Sequence, residues 1–151
     1  MEKVEVIKNF LQEVWRNRNS QIIDEVFVPD YEKDKTAEGL SKDEKLGPAE
    51  FKAYQSAMLE LVEYFDIDIK SFMEDGDWIA VQCEVSGPSR QSGNKVKMSG
   101  CAWARVTDGK IREAQNYFDF LNFFEELGLL PKDTMKACIE GRGIVPGNLV
   151  T

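Results

Sequence analysis

Asp108-Gly109-Lys110-Ile111-Arg112-Glu113-Ala114-Gln115-Asn116-Tyr117-Phe118-Asp119 is the stretch on which the fold turns. An Asp-Gly pair between two β-rich runs signals a two-residue hairpin, because both residues tolerate the left-handed backbone that such a turn needs. The stretch therefore reads as the end of one strand, a tight turn, and a returning strand from Ile111 to Phe118. Asp119 stands at the junction with an apolar run, Phe120, Leu121, Phe123, Phe124 and Leu127. Gly128 as a left-handed cap and Pro131 just beyond it stop that run as a short helix.

Upstream, the first arm of the hairpin extends back to Lys95. Val96, Met98, Gly100, Ala102, Ala104 and Val106 fall on one face, and Lys97, Ser99, Cys101, Trp103 and Arg105 fall on the other. The small residues of the first face leave room for close approach of another element or for a bend in the sheet. Gly87 to Asn94 reads as a loop, Trp78 to Ser86 as a strand, and Glu74-Asp75-Gly76-Asp77 as a turn. Phe65, Ile67 and Ile69 alternate with Asp66, Asp68 and Lys70 as one more strand.

Before Phe65 the period is helical. Val4, Ile7, Phe10, Leu11, Val14 and Trp15 form one stripe of a helix from about Glu2 to Arg16. Ser20 is placed to cap a second helix bearing Ile22, Ile23, Val26 and Phe27, ended by Val28-Pro29, and the two form a hairpin. Gly47-Pro48 opens a third helix, with Phe51, Tyr54, Met58, Leu61 and Val62 on one face, to about Tyr64. The charged segment from Asp30 to Lys45 reads as a solvated loop whose first residues, Tyr31 to Lys35, are a candidate strand. Past Pro131 the chain reads as a partly ordered tail, with Met135, Ile139, Ile144 and Leu149 as contacts. This gives one domain over residues 1–131 and an extension over 132–151.

Composition bounds the function. With 151 residues, 42% hydrophobic and 11% aromatic, the chain supports a core without staples. A net charge of −8 repels polyanions and anionic membrane surfaces, and no stretch is apolar enough to span a bilayer, so neither nucleic acid nor membrane is expected as a partner. Cys83, Cys101 and Cys138 are odd in number and widely spaced, which fits reduced thiols in a soluble cytoplasmic protein. There is no histidine. That removes the Ser-His and Cys-His nucleophile pairs and the usual imidazole metal sites, and no metal is expected.

Three helices, a meandering sheet of four or more strands and a closing helix are what a curled sheet wrapped around a long helix requires. From about Val4 to Pro131 the chain resembles the SnoaL-like polyketide cyclases, or ester cyclases, of the nuclear-transport-factor-2-like superfamily. The resemblance is carried by Phe10-Leu11 through Val14-Trp15 with Asn17 and Asn19, by Glu25 to Pro29-Asp30, and by Gly47-Pro48 with Phe51. Further carriers are Gly76-Asp77, Gly87, Arg105-Val106-Thr107-Asp108-Gly109-Lys110-Ile111-Arg112-Glu113, Phe118-Asp119 and Leu127-Gly128. It implies an α+β, cone-shaped fold with an apolar pocket for a small hydrophobic molecule, and a homodimer formed through the sheet face.

The resemblance also implies a role for Asp119 as general acid/base in a cofactor-free reaction on a carbonyl compound, such as a cyclase, isomerase or hydratase step. A desolvated carboxylate suits proton removal beside a carbonyl, and Tyr117, Gln115, Asn116 and Arg105 are the nearby donors for the developing enolate. Two departures from the family pattern stand beside this: no histidine assists the aspartate, and Gln115 stands where tryptophan is usual. The residues by themselves also read otherwise. Asp119 sits where a helix N-cap belongs, and Trp103 and Arg105 form either an aromatic floor with a cation or a dimer face. Trp15, Tyr54 and Met58 lie on helix stripes, as core or as pocket wall. The alternative to an enzyme is a non-catalytic binding or dimeric interaction module of the same fold.

Overall fold

The structure of the protein, a computed structural model, describes residues 1–30 and 47–144. The expected strand at Tyr31–Lys35 and the contact by Leu149 lie outside the described residues. The described chain is α+β: α1 (Lys3–Leu11) continuing into a π turn (Gln12–Arg16), α2 (Gln21–Val26), α3 (Pro48–Leu61), β1 (Asp66–Asp75), β2 (Trp78–Pro88), β3 (Lys95–Thr107), β4 (Lys110–Phe118), α4 (Phe120–Glu126) and α5 (Thr134–Ile139). The four strands form one antiparallel sheet in the order β1-β2-β3-β4. Among the described residues no helix is long and apolar enough to cross a membrane.

The helical part differs from expectation in detail. The first helix reaches Arg16, but its last turn is wound as π, with the Asn17 amide donating to Gln12 O at 3.1 Å. The wider turn leaves both Val14 and Trp15 buried. Ser20 does not cap α2. Its backbone is already helical, and an N-cap must be extended to aim its side chain at the first amides. Asn19 Oδ1 instead accepts from the Gln21 amide at 3.0 Å. Helix α3 starts as read, with the Gly47 amide donating to Glu50 Oε2 at 3.2 Å, and ends at Leu61 because Val62 turns extended to bridge Ser89.

The core lies between the helices and one face of the sheet. Phe51 of α3 meets Phe10, Trp15 and Phe27, and Ile79, Val81, Val96, Val106 and Ile111 face them from the sheet, nearly or fully buried. Each such side chain contributes roughly 1.5–3 kcal/mol relative to leaving it in water. The other sheet face is open, and Met73 and Tyr117 on it are 79% and 64% exposed.

Asp108 and Gly109 take left-handed φ values of 53° and 71°, the tight turn read from the sequence. Gly100 serves close approach: a Cβ there would stand 2.3 Å from Tyr117 O and 2.4 Å from Phe118 Cδ1. Helix α4 ends on left-handed Gly128, with the Leu129 amide donating to Phe124 O at 2.9 Å. Beyond it, residues 134–139 are helical. Met135 and Ile139 make no core contact there but stand 54% and 74% exposed, because α5 is anchored through Thr134, whose hydroxyl donates to Pro131 O, and through the Met135 amide on Glu125 Oε1.

Two bulges set the side-chain faces. In β1 the register with β2 shifts between Ile69 and Ser71. In the hairpin it shifts between Arg105 and Val106, so that Val106 faces Ile111 and Arg105 faces Glu113, with Arg112 as the extra residue. Arg112 turns away, its Nε donating to Thr107 Oγ1 at 3.0 Å and one Nη to Val28 O at 3.1 Å.

Candidate functional site

Pairing through that bulge decides what β4 offers to the interior. Ala114 lies opposite Ala104 and Asn116 opposite Ala102, both on the helix-covered face, while Gln115 and Tyr117 lie opposite Trp103 and Cys101 on the open face. Asn116 is half-buried and faces a small cavity under the helices. The π turn and its approach supply Leu11 and Trp15, α3 supplies Tyr54, and β1 supplies Ile67. Strands β2 and β3 add Cys83, Val85 and Met98, and Phe118 completes the wall beside Asn116.

The cavity has a volume of about 30 Å³. That is room for a water or two and far below the roughly 300–1,000 Å³ of ordinary ligand pockets, so any larger guest requires side-chain movement. Trp15 is fixed edge-on against Tyr54 and Phe65, at ring distances of 5.6 and 5.7 Å. Met98, unbranched and adaptable, is the wall residue best suited to move.

All nine lining residues among the described residues are uncharged. Burial pushes the Tyr54 phenol up to about 12. Burial first, then the neighbouring Cys101 and Asp68, pushes the Cys83 thiol up to about 11. Both therefore stay protonated at neutral pH. Neither the Tyr54 hydroxyl nor the Asn116 amide has a hydrogen-bond partner among the described residues, yet neither is sealed from solvent, since no fully buried side-chain polar atom lacks a partner. Two unpartnered polar groups thus face one apolar space.

The expected site residues fall into three places. Trp15, Tyr54 and Asn116 meet at the cavity. Met58 is 5% exposed in the core and lines no part of it. The others lie on or beyond the open face. Trp103 stacks on Trp78 at 5.1 Å, and Arg105 forms a two-pronged ion pair with Asp30, Nη1 donating to Oδ2 at 3.0 Å. That guanidinium holds the Asp30 carboxyl below its ordinary value, and Asp30 in turn raises Arg105. The Tyr117 hydroxyl donates to Gln115 Oε1 at 2.8 Å.

Asp119 is exposed at the start of α4, where its Oδ1 accepts from the Asn122 amide at 3.1 Å, and it is not among the cavity's lining residues. Leu11, Ile67, Cys83, Val85, Met98 and Phe118 line the cavity without having been singled out from the sequence. Their inward parity was legible for each strand, but which stretch of the inner face remains unfilled by the helices was not.

Larger depressions are open surface. One of about 600 Å³ runs between α1 and the edge of β1 past the Arg16–Asp66 ion pair, and another of about 550 Å³ lies on the open sheet face beside Met73, Cys101 and Tyr117.

Residues 5–127 match the family model of the SnoaL-like polyketide cyclases. Among solved structures the chain is similar to IdmH of Streptomyces antibioticus, assigned provisionally as a polyketide cyclase, at 18% identity and a TM-score of 0.67 over 85% of this chain and 99% of that one. It is similar to TsrD of Streptomyces laurentii at 16% identity and a TM-score of 0.65, over 86% and 99%. An epoxide hydrolase of Mycobacterium tuberculosis, of the LEH-like kind, shares 18% identity and a TM-score of 0.57 over 91% and 94%. No curated protein matches the chain in sequence. Identities this low speak for the fold alone.

Proposed function

Since the chain belongs to the SnoaL-like polyketide cyclase family, we propose that its interior cavity is a small-molecule site that binds its guest without acid/base turnover. The observation that carries this reading is the pair of unpartnered groups, the Asn116 amide and the Tyr54 hydroxyl, in a space that no carboxylate among the described residues borders. Proton abstraction requires a group that titrates near the working pH. On β4 the polar side chain that meets the cavity is an amide, which does not titrate. The test is amide-resolved NMR with 2-octanone as probe. Binding should move the side-chain signals of Asn116 and the indole signal of Trp15, and Asn116→Ala should weaken it; shifts confined to the open sheet face would sink the reading.

A second reading keeps a cofactor-free acid/base enzyme, a cyclase, isomerase or hydratase acting on a small hydrophobic carbonyl compound, with Asp119 as base and Tyr117 or Gln115 as donor. It draws on the open depression beside Tyr117 rather than on the cavity. In that case Asp119→Asn keeps the fold and the cap and abolishes turnover; full activity in that variant removes Asp119 from the mechanism.

The open sheet face supports a homodimer as part of the same proposal. The stacked Trp78–Trp103 pair, Tyr117 and Met73 leave apolar surface in water, and surface of this kind marks an interface. Trp103→Glu should shift sedimentation from dimer to monomer without changing the helical content. A cytoplasmic setting belongs to the proposal too, with Cys83, Cys101 and Cys138 as free thiols.

A further inference from the structure

A chain of net charge −8 gathers three cations at one place on its surface, away from the interior cavity. Three elements meet there. Lys52, Ser56 and Glu60 recur at helical spacing along one stripe of α3, Arg18 and Ser20 come from the connection between the π turn and α2, and Arg90 comes from the loop after β2. Together they line an open depression of about 710 Å³.

The two arginines are held by the backbone around them. Arg18 takes a left-handed φ of 59°, and its neighbours Asn17 and Asn19 both donate to the Glu13 carboxylate, at 3.0 and 3.3 Å. Arg90 donates its amide to Leu61 O at 3.0 Å and its Nε to Leu59 O at 2.7 Å, which ties it to the last carbonyls of α3. The fork of Nη donors takes no part in that bond. Lys52 forms an ion pair with Asp24, so the arginines carry the positive charge of the depression, opposed in the described lining by the single carboxylate of Glu60.

A second, smaller depression of about 300 Å³ shares Arg90 and Glu60 with the first and continues over Leu61, Leu127 and Leu129. Leu129 is 48% exposed there. We propose that the two depressions together bind a phosphate monoester that carries a hydrocarbon group, the phosphate between Arg18 and Arg90 and the hydrocarbon on the three leucines. A dianionic phosphate offers three terminal oxygens, enough for the forks of both arginines and the hydroxyls of Ser20 and Ser56. A carboxylate brings two oxygens and one charge, and leaves part of that donor set unused. The hydrocarbon takes Leu129 out of water, a gain that a bare phosphate does not make.

The experiment titrates the full-length protein at pH 7.4 with inorganic phosphate, with octyl phosphate below its micelle concentration, and with 1-octanol. NMR follows the backbone amides of Arg18, Ser20 and Ser56 and the methyl signals of Leu127 and Leu129, while the Trp15 indole reports the interior cavity separately. Inorganic phosphate should move the three amides alone. Octyl phosphate should move amides and methyls and bind at least about tenfold more tightly, for which burial of about two methylenes is enough. Arg18→Gln, a change on an exposed turn, should weaken octyl phosphate about five- to tenfold. Arg142→Gln removes a cation outside both depressions and should leave the affinity unchanged. Equal weakening by the two variants reduces the effect to general charge attraction and overturns the site. Octyl phosphate binding no more tightly than inorganic phosphate overturns the apolar half, and octanol moving the leucine methyls as strongly as octyl phosphate overturns the anionic half. No shift at Arg18, Ser20 or Ser56 with either phosphate overturns the whole proposal, whatever the Trp15 indole shows about the cavity.

Discussion

Asn116→Asp is the substitution that asks most of this structure. It is isosteric, so the packing of β4 against Ala102 and the cavity wall is kept. What changes is that a titratable group now stands in a half-buried apolar space with no cation among the described residues on its wall. Full burial raises a carboxyl by up to about 3–5 pKa units. Partial burial reduces this to about 2 units, which places the folded-state carboxyl near 6 against about 3.9 in the unfolded chain.

The sign follows from proton binding. Between those values the folded state holds the proton more tightly than the unfolded state, so the variant loses stability relative to wild type as pH rises from about 4 to about 6. The loss levels off near 2.7 kcal/mol at pH 7 and above, and it fades away below about pH 3. Urea midpoints of both proteins measured at half-unit steps from pH 4.5 to 8 provide the assay, with the slope checked for constancy. A stability difference that does not change with pH, or a carboxyl that titrates at its ordinary value in the folded variant, refutes the account of the cavity as an apolar, half-buried space without a charge among the described residues.

Three further outcomes follow from particular contacts. Asp119→Ala removes the acceptor of the Asn122 amide and should cost about 1 kcal/mol in denaturant unfolding, whereas Asp119→Asn, itself a good cap, should cost less than half of that. Gly100→Ala puts a methyl group 2.3 Å from the Tyr117 carbonyl oxygen, a backbone atom that cannot swing aside, so β3 and β4 must part; the cost should be about 1–3 kcal/mol, read from the thermal midpoint. Cys83, buried and held as thiol with a pKa near 11, should resist a disulfide reagent at pH 8 until the protein unfolds, while exposed Cys138 reacts at once.

Much of the fold was legible in short stretches, because each signal there is local. Asp108-Gly109 permits few conformations besides the tight turn it forms, Gly128 and Pro131 stop α4 where they stand, and the change from helical to alternating period at Phe65 marks the passage into the sheet. The missing histidines and the uncharged stripes on α1 and α3 were likewise plain from the residues, and Trp15 and Tyr54 do meet at the cavity. Asn19 takes the capping contact read for Ser20 because the Ser20 backbone is already helical, a local conformation that the residue type alone does not dictate.

The face of β4 was settled by tertiary structure alone. Counted outward from Asp108-Gly109 without interruption, Ile111, Glu113, Gln115, Tyr117 and Asp119 share one side, and buried Ile111 would carry the other four inward with it. One extra residue, Arg112, leaves the ladder to reach Thr107 and Val28, and every side chain after it changes face. The partner that draws Arg112 out, the Val28 carbonyl, lies 84 residues earlier in the chain. No local pattern encodes that contact, and it is what turns Gln115 and Tyr117 to the open face and leaves the cavity to Asn116.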